Sequence, residues 1–227
     1  MLTRIRQQSV YQEFLDAVKA GQHPAKIGLL RSARLPLVAA LCKDLNVPVL
    51  LLTDRTDRGL VLFDELNTWL PDIPKYYFPE PTPMFYEQAA WGSLARRDRL
   101  AALARLSLYH KPGTQKPELP CVVVTPLRAV MTRTIPRRDF IISSKTIRLG
   151  MKATPESLLR DWVHLGYESV DVVVDHGQFS RRGGILDIWA PAEEYPARVD
   201  FFGDVVDTLR QFDPATQRTV RNLEQVQ

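Results

Sequence analysis

Charged and aromatic side chains alternate along one short stretch, ARVDFF at residues 197–202. If this stretch is a regular strand, Ala197, Val199 and Phe201 point one way and Arg198, Asp200 and Phe202 the other. The first set has the composition of a core. In the second set an aromatic ring beside arginine is typical of a protein-binding hot spot. The alternative is a structural role, in which a neighbouring loop covers Phe202 and Arg198 pairs with Asp200.

Residue types that perform catalysis are present but scattered. The four histidines and two cysteines lack the spacing of a zinc site. The sequence contains no G-x-S-x-G motif, and the adjacent carboxylates Glu193 and Glu194 lie in a proline-bounded loop, where solvation is the expected role. We therefore expect no catalytic residues, no metal and no cofactor.

A nucleotide-binding P-loop would have the pattern G-x-x-x-x-G-K-[ST]. Gly28 fits its first position, but the other three positions fall on Ala33, Arg34 and Leu35. Ala33 blocks close backbone approach to phosphate, Arg34 is bulkier than lysine, and Leu35 has no hydroxyl group for Mg²⁺. The sequence predicts a degenerate loop and a chain that does not hydrolyse ATP.

A different binding chemistry is available on a predicted helix near residues 89–110. It carries a set of basic residues: Arg96, Arg97, Arg99 and Arg105. Arginines on one helix can contact phosphates, so the rival hypothesis is a DNA-binding domain. The structural alternative is a solvated face opposite a leucine stripe.

The elements expected in residues 1–134 alternate between helix and strand, which is typical of an α/β parallel-sheet domain. The predicted helices span residues 9–20, 59–70 and 89–110, and a further apolar helix, with Pro36 in its first turn, follows a short strand and a turn within residues 25–45. The predicted strands are a short one before residue 31, then 49–53, 75–78 and 121–125. A boundary near Pro136 separates this domain from a second, residues 135–227.

The second domain is predicted to be α+β, with one helix on an antiparallel sheet. Residues 139–143 and 146–149 are expected to form a β-pair, Thr154 to cap a helix, and residues 170–174 to form a strand. A three-stranded meander follows at residues 185–189, 197–202 and 205–212. A two-residue turn at Gly203-Asp204 would place Asp200 opposite Asp207, an unfavourable pair of like charges.

Three segments follow one another in the order of a known family. They are F-x-x-R-G-x-x-x-D-I from Phe179, R-x-D-x-F-G-D from Arg198 and F-D-x-x-T-x-R from Phe212. This order resembles the UvrB-like module of bacterial nucleotide-excision repair proteins, and it looks closest to the amino-terminal region of the transcription-repair coupling factor family.

The resemblance implies a helicase-like first domain that has lost its ATP site and a second domain that docks UvrA, the damage-recognition ATPase. Matched residue by residue, the family's UvrA contacts fall on Arg182, Arg198 and Phe202, with Arg181 and Asp200 as possible flankers. Proteins of this family are much longer, with ATP-dependent DNA translocase domains and a domain that binds RNA polymerase, so the resemblance implies either a part of such a protein or a naturally short relative.

Bulk composition is compatible with this interpretation. The chain of 227 residues is 45% hydrophobic and has a formal net charge of +4, so contact with an acidic partner is allowed but not required. No apolar run approaches the roughly 18 residues of a membrane span. Cys42 and Cys121 lie in apolar settings, as expected for reduced thiols. We expect a bacterial cytoplasmic protein.

Overall fold

The computed structural model describes residues 2–22, 28–81, 92–110 and 117–226. The chain divides into two compact units, residues 1–133 and 134–227. The helices of the first unit are α1 (Leu2–Arg6), α2 (Ser9–Lys19), α3 (Arg31–Leu45), α4 (Thr56–Trp69), α5 (Ser93–Ser107) and α6 (Leu127–Met131). Its strands are β1 (Val49–Thr53), β2 (Lys75–Tyr77) and β3 (Val122–Pro126).

The three strands of the first unit form a parallel sheet in the order β1-β3-β2. Every residue of the central strand β3 is buried, because helices cover both faces of the sheet, and its sequence VVVTP is accordingly an apolar run. α3 and α4 pack on one face through Leu35 and Leu66, and α5 packs on the other through Ala102. The predicted parallel α/β arrangement is confirmed.

The second unit has two helices, α7 (Arg137–Ser143) and α8 (Pro155–His164). Its strands are β4 (Ile147–Arg148), β5 (Glu168–Ser169), β6 (Gln178–Arg182), β7 (Ile185–Ile188), β8 (Ala197–Phe202), β9 (Val205–Phe212), β10 (Thr219–Asn222) and β11 (Gln225–Val226). Six strands form one sheet in the order β10-β9-β8-β7-β6-β5, and β4 pairs with β11. The predicted meander is present as β7, β8 and β9, joined by antiparallel pairing.

Helix α8 covers one face of the six-stranded sheet. Its N-cap is Thr154, as predicted, and the Thr154 hydroxyl accepts a hydrogen bond from the Ser157 amide at 3.3 Å. Leu158 and Trp162 enter the core, where the Trp162 ring lies 5.6 Å from that of Phe179. The apolar side of the sheet is therefore the side that α8 covers.

Two predicted strands are wrong. Residues 139–143 belong to helix α7, which begins after Pro136 and has Asp139 in its first turn, and these helix-start signals outweigh the β-propensity of the isoleucines. Residues 170–174 are a loop, because the Gln178 side chain accepts hydrogen bonds from the amides of Val174 and Asp175. The strand in this part of the chain is β5, which ends at Ser169, just before the predicted range.

The strand expected before residue 31 is only partly observable. Residues 23–27 lie outside the described residues, and Gly28 to Leu30 are not in a strand. Pro36 lies deeper in the helix than predicted, as the sixth residue of α3 rather than in its first turn. Because proline has no N–H group, it cannot donate to the carbonyl four residues earlier, that of Ser32.

Candidate protein-docking face

The polar side of the six-stranded sheet, opposite α8, is called here the outer face. On the four central strands it includes Arg182 from β6, Ile185 and Asp187 from β7, Arg198, Asp200 and Phe202 from β8, and Thr208 and Arg210 from β9. The antiparallel register places Asp187, Arg198 and Arg210 side by side in one row, and Arg182, Ile185, Asp200 and Thr208 in the next. The residues that alternate with them, Ala197 and Val199, are buried in the core under α8.

Asp187 lies at the centre of this face and is 1% exposed. Its carboxylate accepts hydrogen bonds from the Arg198 Nε and Nη2 atoms at 2.7 and 2.8 Å, and from the Arg182 Nη2 atom at 3.0 Å. A buried carboxylate is tolerated only when charged or polar partners surround it. The two arginines therefore stabilise Asp187, and Asp187 in turn fixes where both guanidinium groups lie.

Arg198 is held more tightly than Arg182. Its Nη2 atom also donates to Gln217 Oε1 at 2.9 Å, and its guanidinium carbon lies 4.3 Å from the centroid of the Phe212 ring. The hydrogen bonds to Asp187 raise the pKa of Arg198 above its ordinary value. Only 17% of the Arg198 side chain is exposed, against 53% for Arg182. Arg182 therefore offers more free donor surface.

Phe202 is the most exposed large hydrophobic residue of the described chain, at 83%. It ends β8 and lies opposite Val205 across the Gly203-Asp204 turn, in which Gly203 adopts a φ of +59°. Ile185, 37% exposed, adds an apolar side chain to the same face. The alternative in which a neighbouring loop covers Phe202 is therefore wrong.

Asp200 is paired within the sheet but not with Arg198, as the structural alternative had it. It accepts a hydrogen bond from Arg210 Nη2 at 2.6 Å and another from the Thr208 hydroxyl. The turn is the two-residue one considered from the sequence, but a β-bulge on β9 leaves Asp207 without a partner on β8 and places Thr208 opposite Asp200. The bulge avoids the unfavourable pairing of Asp200 with Asp207.

Arg181 and Arg182 lie on opposite faces of β6. Arg181 is opposite Leu186, a core residue, and it forms an ion pair with Glu156 of α8 at 2.7 Å. Arg182 is opposite Ile185 and contacts Asp187. The outer face therefore brings together Arg182, Arg198, Phe202 and Asp200, and it excludes Arg181.

Sequence reasoning missed Asp187, Arg210 and Gln217. Asp187 interrupts the apolar run ILDI, and a lone carboxylate in such a run is a signal that a cation lies on a neighbouring strand. Gln217 has a left-handed backbone, with φ of 60°, which sequence spacing does not reveal. Their roles depend on the strand register, which the sequence alone did not provide.

The basic residues of α5 do not form one exposed surface. Arg99 is 4% exposed and donates to the carbonyl oxygen of Pro79 at 2.8 Å. Arg105 donates to the Leu119 carbonyl at 2.8 Å, and Arg97 pairs with Asp98 at 2.9 Å. Of the four arginines in the DNA-binding hypothesis, Arg96 is exposed, Arg97 and Arg105 are half-buried, and Arg99 is buried.

Helix α3 begins inside the segment that was compared with a P-loop. It starts at Arg31, so Ala33 and Arg34 lie in its first turn and Leu35 is buried in the core at 5% exposure. Of the described residues just before this helix, Gly28, Leu29 and Leu30 are in a loop. A cleft of about 1170 Å³ lies beside the start of α3, and Leu30, Arg34 and Leu35 are among the residues that line it. Two of the other lining arginines are paired with carboxylates, Arg55 with Asp57 and Arg58 with Asp54.

No group of three or more His, Cys, Asp or Glu side chains in the described ranges is placed to hold a metal ion. Within the same ranges, no helix has the length and apolar character needed to cross a membrane.

Comparison with known families identifies the second unit. Residues 146–227 match the UvrB interaction domain family. This range contains all of the outer face, and the resemblance predicted from the three ordered segments is confirmed.

The whole chain also has relatives among curated bacterial proteins. It is 30% identical over 224 residues to the transcription-repair-coupling factor of Myxococcus xanthus, which covers 95% of this chain. It is 28% identical to the same factor of Bacillus subtilis over 99% of this chain, and 27% identical to that of Escherichia coli over 92%. The chain spans 17 to 18% of the length of these three relatives.

Proposed function

Because the chain contains a UvrB interaction domain and is a relative of the bacterial transcription-repair-coupling factors, we propose that it is a non-catalytic module that recruits UvrA. The outer face is the docking surface, and the partner is UvrA of the same bacterium. The observation that carries the proposal is the solvent-exposed ring of Phe202, 83% exposed, on the same face as Arg182 and Arg198.

The chemistry of the face fits a protein partner with an apolar pocket and acidic neighbours. Large aromatic side chains and arginines contribute most to protein interfaces when a partner covers them. Phe202 is the apolar anchor, and Ile185 adds a second exposed apolar side chain to the same face. Arg182 is the better placed donor to a partner carboxylate, since Arg198 is largely committed to Asp187 and Gln217.

Charge supports the same conclusion. On the four central strands the outer face has three arginines, Arg182, Arg198 and Arg210, against the two carboxylates of Asp187 and Asp200. One positive charge is therefore left over on these four strands, which favours an acidic partner surface.

We further propose that the two units correspond to the first two UvrB-like domains, approximately residues 1–134 and 135–227. The first would be the helicase-like domain with a degenerate nucleotide loop, because Ala33, Arg34 and Leu35 stand where a P-loop has glycine, lysine and a hydroxyl residue. Contacts with RNA polymerase and DNA are assigned to other parts of a longer parent. Isothermal titration of the chain with ATP and Mg²⁺ tests this part, and micromolar binding would contradict it.

Purified UvrA and surface-immobilised chain test the docking proposal directly. The variants are Phe202→Ala and Arg182→Ala on the outer face, with Val163→Ala and Arg160→Ala on α8 as matched controls. The outer-face variants should lose affinity, and the controls should bind like the wild type. Equal binding by all five chains would rule out the outer face as the docking surface.

DNA binding remains a second hypothesis with a separate test. A titration of duplex DNA at two salt concentrations should give weak binding with a shallow salt slope, because most α5 arginines are engaged internally. Micromolar affinity with a steep slope would favour the DNA-binding hypothesis instead.

A further inference from the structure

The outer face contains one buried charged residue that no surface scan would select. Asp187 is 1% exposed, so a partner protein has almost no access to it. It nevertheless contacts both arginines of the docking surface, through three hydrogen bonds of 2.7 to 3.0 Å. We propose that Asp187 is a positioning residue for docking, which holds Arg182 and Arg198 in the geometry in which they meet an acidic partner.

The hydrogen bonds of Asp187 are arranged as a clamp. One oxygen, Oδ1, accepts from Arg198 Nε, while Oδ2 accepts from the Nη2 atoms of both arginines. The two-point contact with Arg198 fixes the plane of that guanidinium group, and the shared oxygen ties Arg182 to it. Gln217 and the Phe212 ring hold Arg198 from its other sides.

The clamp leaves donors free for a partner. The Nε and Nη1 atoms of Arg182 and the Nη1 atom of Arg198 make no hydrogen bond to Asp187, and half of the Arg182 side chain is exposed. One carboxylate also cannot neutralise two guanidinium groups, so the clamp keeps a positive charge on the surface. Asp187 therefore orders both arginines and still leaves N–H groups on them that can donate to a partner.

Ordering of the two arginines before UvrA binds should raise the affinity of the chain for UvrA. An arginine side chain that is free in solution loses rotamer freedom when a partner captures it, and this loss weakens the complex. In the clamp the loss has already occurred in the free chain. Removing the charge of Asp187 should therefore weaken UvrA binding by about tenfold, from the cost of ordering two rotamer-rich side chains.

The experiment, which rests on the proposed function, is a double-mutant cycle on UvrA affinity. Asp187→Asn is nearly isosteric and removes the charge of the clamp, and it is combined with Arg182→Ala or with Phe202→Ala. If Asp187 acts through the arginines, its effect should shrink at least threefold in the Arg182→Ala background. In the Phe202→Ala background it should remain about tenfold, since Phe202 does not contact the clamp. An equal effect in both backgrounds would overturn the proposal.

A second measurement decides the matter if Asp187→Asn does not fold or if UvrA does not bind. The side-chain Nε–H group of Arg198 is observed by nitrogen-15 relaxation in the wild-type chain, with its signal identified by its loss in Arg198→Lys. The clamp predicts order close to that of the backbone on the picosecond to nanosecond timescale. A highly mobile Arg198 side chain would overturn the clamp, whereas a rigid one with no UvrA binding would refute only the docking function.

Discussion

Arg99 in the first unit and Arg198 in the second both lie over an aromatic ring, 3.9 Å from the centroid of Phe78 and 4.3 Å from that of Phe212. Their polar partners differ. Arg99 donates to main-chain carbonyl oxygens, whereas Arg198 donates to a carboxylate. Burial lowers the pKa of Arg99 to about 10, while the hydrogen bonds to Asp187 raise the pKa of Arg198.

The difference shows how one residue type can serve two purposes. Arg99 joins α5 to the loop at Pro79 and to helix α6, because its donors reach the carbonyls of Pro79 and Ala129. Arg198 belongs to a network of charges that opens onto the surface through Arg182. The first arrangement stabilises a fold, and the second also presents charge to a partner.

The largest expected effect is on Arg99. Replacing it with alanine removes charged hydrogen bonds to two main-chain carbonyls and leaves a cavity over Phe78, so Arg99→Ala should lower the free energy of unfolding by about 4 kcal/mol. Urea unfolding followed by circular dichroism measures this change. Arg96→Ala, an exposed site on the same helix, is the control and should change stability by less than about 0.5 kcal/mol. If Arg99→Ala and Arg96→Ala lowered the free energy of unfolding by similar amounts, Arg99 would not have the structural role that distinguishes it from Arg198.

The next largest effect is on Arg198. Arg198→Ala leaves the buried carboxylate of Asp187 with Arg182 as its remaining charged partner, and the free energy of unfolding should fall by about 3 kcal/mol. Arg181→Ala breaks an exposed ion pair with Glu156 and should cost less than about 1 kcal/mol. A thermal midpoint for Arg198→Ala equal to that of the wild type would mean that Asp187 does not need this partner.

Phe202→Ala should affect binding and not folding. Truncating an exposed anchor is expected to cost about 2 kcal/mol, or roughly thirtyfold in UvrA affinity. Because the ring is 83% exposed, the midpoint of urea unfolding should stay within experimental error of the wild type. Calorimetry with UvrA and a matched unfolding curve measure the two quantities. A large loss of stability would give Phe202 a structural role, as for Arg99.

The smallest effect concerns the helix that covers the opposite side of the sheet. Thr154→Ala removes the side-chain acceptor of the Ser157 amide and should lower the free energy of unfolding by about 1 kcal/mol. UvrA affinity should not change, because α8 packs on the core face. Thr154→Ser keeps the acceptor and is the control. A loss of UvrA affinity in Thr154→Ala at unchanged stability would show that α8 contributes to docking.

Much of the outer face could be predicted from the sequence. Period-two alternation over residues 197–202 identified Arg198, Asp200 and Phe202 as neighbours on one face, because side chains in a strand alternate by geometry alone. The same reasoning could not find Asp187 as their partner. That contact depends on how β7 and β8 are aligned, and the loop between them has no sequence signature of its register.

The errors in the fold have a common physical origin. Residues 140–142 and 170–174 are rich in β-branched or aromatic side chains, and both were predicted as strands. In each case local hydrogen bonding prevailed: Asp139 and Pro136 favour the start of α7, and the Gln178 side chain satisfies amides that a strand would otherwise pair. A high β-propensity means that a side chain fits a sheet, but a segment becomes a strand only where a neighbouring strand is available for pairing.

The β-bulge on β9 has a consequence for how this sheet tolerates changes in length. Asp207 is exposed, and it has no partner on β8, where Asp200 lies opposite Thr208 and Phe201 opposite Val206. A strand that carries one surplus residue can lose it without shifting the pairs on either side. Deletion of Asp207 should therefore leave Phe201 opposite Val206 and Arg198 opposite Arg210.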